Sequence, residues 1–298
     1  MTSIKDFSEL TQILARRESR RRVAVVWPAD EQTLHSVARA VEADFVEAVL
    51  IGEADAPLPQ TLCRTDRVAR VVATDPKDAA EKAVAMVREG KADVLMKGLV
   101  GTDVLLHAVL NRDTGILPRG RVLTHVTAAT VAFSDKMLFF TDAAVIPYPT
   151  PEQLRAQLTA ILDVCRRMGI AEPRVSLLHC TEKVNEKLFP FTSDYVALRQ
   201  EAESGAYGPC VVDGPLDLKT SLSAKAMRTK GIDSPIAGAA DALIFPDIEA
   251  ANVFYKAITL YPSTETAGML HGTLAPVVLP SRGDSETSKL NSLALACV

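Results

Sequence analysis

The chain has 298 residues, 48% of them hydrophobic and 23% charged, an ordinary globular composition that can bury a large core without metal or disulfide staples. Thirty-three Lys and Arg stand against 37 Asp and Glu, a net charge of −4, which argues against a dedicated nucleic-acid binder, normally basic. The longest uncharged stretch, Thr266 to Ser281, has 16 residues with two Gly and two Pro inside it, too short and too broken for a membrane span.

From the N-terminus, the first residues are charged and lack the apolar core of a secretory signal, so a cytoplasmic protein with no membrane partner is expected. The arginines 16, 17, 20, 21 and 22 read as a solvated helix end. Apolar runs at Val23–Trp27, Ala48–Ile51, Val68–Ala73, Asp93–Met96, Met137–Phe140, Val175–His179, Ala242–Phe245 and Ala275–Leu279 read as buried strands. Amphipathic segments alternate with them. In Asp75–Glu89 the alanines and valines at 79, 80, 83, 84 and 87 share one face, and Gly90 is a stop. In Thr150–Met168, Thr150 is a cap and Pro151 opens the helix. Strand–helix alternation predicts an α/β fold. Residues 122–131 and 136–146 break the pattern as two adjacent strand-like segments, and Tyr148-Pro149-Thr150-Pro151 reads as a hinge. A domain boundary is expected there, between residues 147 and 148.

Familiar catalytic signatures are missing. There is no GxxxxGK[ST], GxGxxG, GxSxG or HExxH, and the five cysteines are far apart with no CxxC. His179 and His271 read as core histidines, Cys180 and Cys210 as small buried hydrophobes. The C-terminal segment is more informative. A strand ends in Pro280-Ser281-Arg282-Gly283, and Asp284 and Ser285 follow as caps of a helix. A strand, a Gly-containing turn and a helix N-terminus together make an anion site, to which Arg282 adds a planar fork. Lys97 leaves a strand toward Gly98 and a cap at Thr102. His125 is expected at a strand end, Val212-Asp213-Gly214-Pro215 as a strand and tight turn, and Asp247 as the cap of a helix reaching Lys256.

These blocks resemble the phosphate acetyl/butyryltransferase family. The resemblance is carried by ADVLMKGLVGT (92–102), LTHV (123–126), FFTDAAV (139–145), EKVNEK (182–187), VVDGPLDL (211–218), KGIDSPIAGAADALIFPDIEAANVFYK (230–256) and APVVLPSRGDSETSKLNSLALA (275–296). MKG, EKVN and DSETSK look closest to the butyryltransferase branch. The resemblance implies the two-domain fold of isocitrate and isopropylmalate dehydrogenases, with an interdomain active-site cleft and a chain end that returns to the first domain, so that the expected domains are 1–147 plus 281–298, and 148–280. It implies conversion of a short-chain acyl-CoA and inorganic phosphate to acyl phosphate and CoA. CoA is then a substrate, no cofactor is bound permanently, and the protein is a homo-oligomer. Candidate catalytic residues are Ser281, Arg282, Asp284 and Glu286. Candidate substrate contacts are Lys97, Thr102, His125, Asp213, Lys256 and Ser285.

Departures from the family pattern cluster in the same blocks. Ser288 stands where the acetyltransferase branch has an aspartate acting as base. Lys219 replaces an acid, with Asp217 two residues earlier, and Ala251 replaces a glycine. Alternatives are a phosphate acetyltransferase and a diverged, non-catalytic CoA or acyl-phosphate binder. A metal- and nicotinamide-dependent dehydrogenase would need an acidic cluster, for which Asp241 and Asp247 are the only starting point.

Overall fold

The computed structural model describes residues 3–281 and 283–298, and the chain forms two compact α/β units. One, called terminal here, comprises Asp6–Leu123 and Glu265–Val298; the other, called central, comprises Thr124–Thr264 with the first residues through Lys5. The terminal unit begins with α1 (Phe7–Ala15), β1 (Arg21–Val26), α2 (Glu31–Glu42), β2 (Val46–Gly52), α3 (Gln60–Cys63), β3 (Val68–Val72), α4 (Pro76–Arg88), β4 (Val94–Lys97) and α5 (Thr102–Val109). The central unit contributes β5 (Thr124–Thr130), β6 (Leu138–Thr141), α6 (Pro151–Arg167), β7 (Arg174–Leu178), α7 (Phe191–Glu203), β8 (Val211–Leu216), α8 (Leu218–Leu222), α9 (Ala224–Lys230), β9 (Ala242–Ile244) and α10 (Ile248–Thr259). The chain then returns to the terminal unit with β10 (Glu265–His271), β11 (Val277–Val278) and α11 (Glu286–Ala296).

Local chemistry sets the helix ends. Asp75 caps α4 through the Lys77 and Asp78 amides at 2.8 and 2.9 Å, and Gly90 takes φ +66° just past its end. Thr150 and Gln153 form a reciprocal capping box on α6, with Pro151 at its first turn. Asp247 caps α10 through the Ala250 amide at 2.7 Å. Thr102, expected as a cap, is instead the first helical residue of α5, and Gly101 precedes it with no side-chain cap.

In the terminal unit the strand order is β3-β2-β1-β4-β11-β10. All pairings from β3 to β11 are parallel, and β10 runs antiparallel to β11. The residues Val23–Val26, Val94–Met96 and Val277–Val278 are fully buried, as strands covered on both faces must be. The chain leaves β1 toward β2 and β3, then crosses back to place β4 on the other side of β1. Right-handed crossovers then put successive helices on opposite faces, and the β1/β4 boundary is a topological switch point. Arg16 and Arg17 sit exposed at the end of α1, as a solvated helix end would, but the cluster continues beyond the helix, where Arg20 and Arg22 are paired. Arg20 forks onto Asp44 at 2.6 and 2.7 Å, Arg22 onto Asp93 at 3.0 and 2.8 Å, and Arg17 donates to the Cys297 carbonyl at 2.8 Å. These bonds pin the start of β1 to the ends of neighbouring elements.

In the central unit the order is β5-β6-β9-β7-β8, parallel except for β5. Phe140, Phe245 and Phe254 meet edge-on or tilted with centroids 5.3–6.1 Å apart, and Leu243, Met227, Ala251 and Ile258 complete that core. The units divide at Leu123/Thr124 and Thr264/Glu265, not at 147/148 and 280/281. The reason is pairing: β6 is zipped to β9, so the segments before the expected hinge belong to the central sheet. Residues 148–150 lie in the link from β6 to α6, which Pro151 opens. The return also comes earlier, because Glu265–His271 is a strand; its burial does not alternate, and Gly268 disguises it in sequence. Among the described residues, no helix is long and apolar enough to cross a membrane.

Several departures from the family pattern now have structural places. Asp217 caps α8 through the Thr220 amide at 2.6 Å and is paired with Lys230, which also reaches Glu182 at 2.7 Å. Lys219 is exposed on α8. Burial works to raise the Asp217 carboxyl, but hydrogen bonds from Lys230 and Thr220 hold it down at about 2. A carboxyl depressed on folding stabilises above its unfolded value, and that contribution is lost as pH falls through its folded value. Asp217→Asn is expected to cost about 1 kcal/mol at pH 7, after allowance for solvent screening. In urea unfolding the gap from wild type should narrow as pH falls from about 4 toward 2. A gap that stays constant across that range would contradict the ion-pair account.

Candidate active site

Three adjacent parallel strands of the terminal unit, β1, β4 and β11, end at one place. At the β1/β4 boundary the Gly98 and Leu99 amides donate to the Val26 and Trp27 carbonyls, each at 2.8 Å. A Cβ on Gly98 would lie 2.5 Å from the Trp27 oxygen and 2.6 Å from the Val26 oxygen, so only glycine fits. Trp27, the chain's one tryptophan, takes φ +51°, a left-handed conformation that a bulky side chain adopts only when its surroundings impose it. The kink turns the chain directly into Asp30, the cap of α2, whose carboxylate accepts from the Thr33 amide at 2.9 Å.

Past these strand ends lies a cavity of about 370 Å³, lined by Asp30–Thr33, Lys97–Leu99, Pro280, Ser281 and Lys289. Lys97, in register with Val26, is only 6% exposed, and its Nζ reaches the Gly98 carbonyl at 3.3 Å. Lys289 of α11 is 4% exposed, with Nζ 3.2 Å from Asp30 Oδ1 and 3.3 Å from Gln32 Oε1. Burial works to raise the Asp30 carboxyl, but hydrogen bonds from Thr33 and Lys289 outweigh it and hold the group below its ordinary value. The first turn of α2 also faces the cavity, and its leading N–H groups have no partner within the helix. Two buried ammonium groups and a helix N-terminus make this a place for an anion. On the β2 side, Trp27 also lines a smaller apolar cavity of about 70 Å³ with Pro28, Leu50 and Leu58.

The candidates at the C-terminal turn have distinct placements. Ser281 lines the cavity; its amide donates to Asp284 Oδ2 at 2.7 Å, and its Oγ accepts from the Gly283 amide at 3.3 Å. Asp284 thus closes the turn. Ser285 caps α11 through the Ser288 amide at 3.1 Å. Glu286 faces α2, 3.0 Å from Arg39 and 3.7 Å from His35. Ser288 donates to the Thr266 carbonyl at 3.1 Å, on β10. Arg282 lies outside the described residues.

His125, Asp213 and Lys256 belong to the central unit. His125 is at the start of β5, not at its end. Because β5 runs antiparallel to β6, that start still lies beside the C-terminal end of a parallel strand. There the buried Asp142 accepts from the His125 amide, the Thr124 hydroxyl and the Ala144 and Val145 amides, all at 2.8–2.9 Å. Asp213 sits inside β8, since that strand continues through Leu216 where a turn was expected, and it pairs with Arg199 at 3.2 Å. Lys256 is exposed in the last turn of α10. Asp241 and Asp247 flank opposite ends of β9: the first pairs with Lys136, the second caps α10. His179 is buried against Phe189 and Phe191, with centroids 4.5 and 5.2 Å away. Cys180 is exposed and Cys210 half-buried, contrary to the buried reading.

Sequence reasoning missed Asp30–Thr33 and Lys289. The signal was there: an apolar strand followed by Asp30 as a cap is the same strand–turn–helix pattern that drew attention to residues 275–298. It lacks glycines at the usual spacing, because Trp27 supplies the turn.

The phosphate acetyl/butaryl transferase family profile covers residues 63–297. The chain belongs to that family. A phosphate butyryltransferase of Clostridium acetobutylicum is 37% identical over 298 residues, 99% of this chain and 98% of the relative. A phosphate acetyltransferase of Rhizobium meliloti is 36% identical over 287 residues, 95% and 90% of the two chains. The crystal structure of a branched-chain phosphotransacylase from Enterococcus faecalis superposes with a TM-score of 0.80 at 27% identity, covering 93% of this chain and 98% of that one.

The contact at Gly98 is open to test. Gly98→Ala should lower stability by about 1–3 kcal/mol, the usual cost of forcing volume into a packed site, read as a lower urea midpoint. An unchanged midpoint would show that the β1 and β4 ends are not locked together.

Proposed function

We propose that the protein is a phosphate acyltransferase that transfers a short acyl chain between CoA and inorganic phosphate, with four-carbon chains preferred over acetyl. The observation that carries this reading is the cavity at the ends of β1, β4 and β11, walled by Lys97, Lys289, Ser281 and the first turn of α2. It suits a phosphate, and the chain's relatives over nearly their whole length include a phosphate butyryltransferase. The preference rests on the butyryltransferase-like blocks MKG, EKVN and DSETSK. The assignment to the isocitrate and isopropylmalate dehydrogenase architecture is part of the same proposal, supported by the resemblance and by the two α/β units.

In the forward direction a phosphate oxygen attacks the thioester carbonyl, the C–S bond breaks, and the proton of hydrogen phosphate passes to the departing CoA thiolate. The products are acyl phosphate and CoA thiol, so atoms and charge balance with no acyl group on the protein. Holding phosphate against the carbonyl supplies much of the acceleration, because it replaces an encounter in solution. The lysines and the α2 amides would fix the phosphate, and Arg282, matched by resemblance, would add a bidentate hold. The Ser281 hydroxyl would donate to the oxygen on which charge grows. Asp284 serves by closing the turn that presents Ser281. Glu286 and Ser285 serve by anchoring the start of α11.

The test is CoA release from acetyl-, propionyl-, butyryl- and isobutyryl-CoA, with and without phosphate. Phosphate-dependent release, fastest with a four-carbon chain, is expected. Fastest release from acetyl-CoA would assign the acetyltransferase instead, and no release by a folded protein that binds CoA would assign a binding role. Arg282→Ala should lower kcat/KM for phosphate at least about tenfold, since a charged hydrogen bond is worth about 1.5–3 kcal/mol; near-normal kinetics would remove Arg282 from the site.

A further inference from the structure

The first turns of α11 sort their side chains by the 100° step of the helix. Ser288, where a relative with an aspartate would present a carboxylate, is turned to β10 and bonded to Thr266. Lys289, the next residue, enters the cavity instead. We propose that Lys289 is a phosphate-binding residue of the transfer site, and that Asp30 and Gln32 position its ammonium there. The proposal rests on the acyltransferase reading and adds to it a role for Lys289, which is not among the candidate site residues of the sequence.

Burying an ammonium is costly unless its donors are used. Lys289 has three donors and two described partners, Asp30 at 3.2 Å and Gln32 at 3.3 Å. Both are longer than the 2.7–2.9 Å of a well-formed charged hydrogen bond. A buried pair formed only for packing would be expected to close to that distance. This one holds the ammonium loosely at the wall of a cavity large enough for a phosphate. Thr33, 1% exposed, lines the same cavity, and its amide donates to the Asp30 carboxylate at 2.9 Å. Asp30 has a double duty: it caps α2 and leaves the N–H groups of Glu31 and Gln32 for the ligand, while its charge keeps Lys289 in place.

The alternative is that Lys289 only ties α11 to α2. Steady-state kinetics with butyryl-CoA and inorganic phosphate separate the two. Lys289→Met should raise KM for phosphate at least tenfold while KM for butyryl-CoA changes less than twofold, and Lys289→Arg should recover most of the loss. Gln32→Ala, which disturbs no packing, should raise KM for phosphate about threefold and keeps the test informative if Lys289→Met folds poorly. Unchanged KM for phosphate in folded Lys289→Met, or in Gln32→Ala when Lys289→Met does not fold, would overturn the proposal. Inorganic phosphate alone should raise the melting midpoint of wild type and not of Lys289→Met; equal shifts would also overturn it. Absence of phosphate-dependent CoA release by wild type would instead sink the acyltransferase reading, and the melting experiment reports on the site regardless.

Discussion

The backbone contact between Gly98 and the Val26–Trp27 carbonyls is the constraint on which the site depends. Two parallel strands that diverge in their connections are held together at their very ends, with no side chain between them. That closeness puts Lys97 and the start of α2 on the rim of one cavity. It also forces Trp27 into its left-handed turn, which aims the chain into Asp30. A switch point always leaves a crevice beyond its strand ends; here the chain has tightened it until the charged groups that follow β1 and β4 share it.

The third wall comes from the far end of the chain. β11 is only two residues long, yet it pairs with β4 and delivers Pro280 and Ser281 to the same rim. α11 then folds back so that Lys289 meets Asp30. Residues 30, 97, 281 and 289 are therefore brought together by sheet order, not by any local motif. This explains why the chain carries no compact sequence signature of the kind found in phosphate-binding loops. Each contributing segment is an unremarkable strand end, and the cavity exists only once three of them lie side by side.

How much of this was legible in the sequence follows from that. Caps such as Thr150, Asp247 and Ser285 are read directly, because a capping side chain acts within three residues of itself. The buried strands β1, β4 and β7 are legible as continuous apolar runs. Ser281 and Lys97 were found because a strand end beside glycine is a local pattern. Lys289 was not, because in sequence it is one more polar residue in an amphipathic helix. His125 sits at the start of its strand where the sequence suggests an end, since antiparallel pairing of β5 with β6 is a tertiary fact. The domain boundaries shifted for the same reason: β10 contains Gly268 and shows no alternation, so only its pairing with β11 reveals it as a strand.

The central claim is that phosphate is held in the terminal unit, between α2, the end of β4 and the start of α11. The most direct measurement is a crystal structure of the protein grown with inorganic phosphate. The account predicts one phosphate within hydrogen-bond distance of the Lys97 and Lys289 ammonium groups and the Ser281 hydroxyl. A phosphate bound elsewhere, with this cavity empty at saturating concentration, would contradict it.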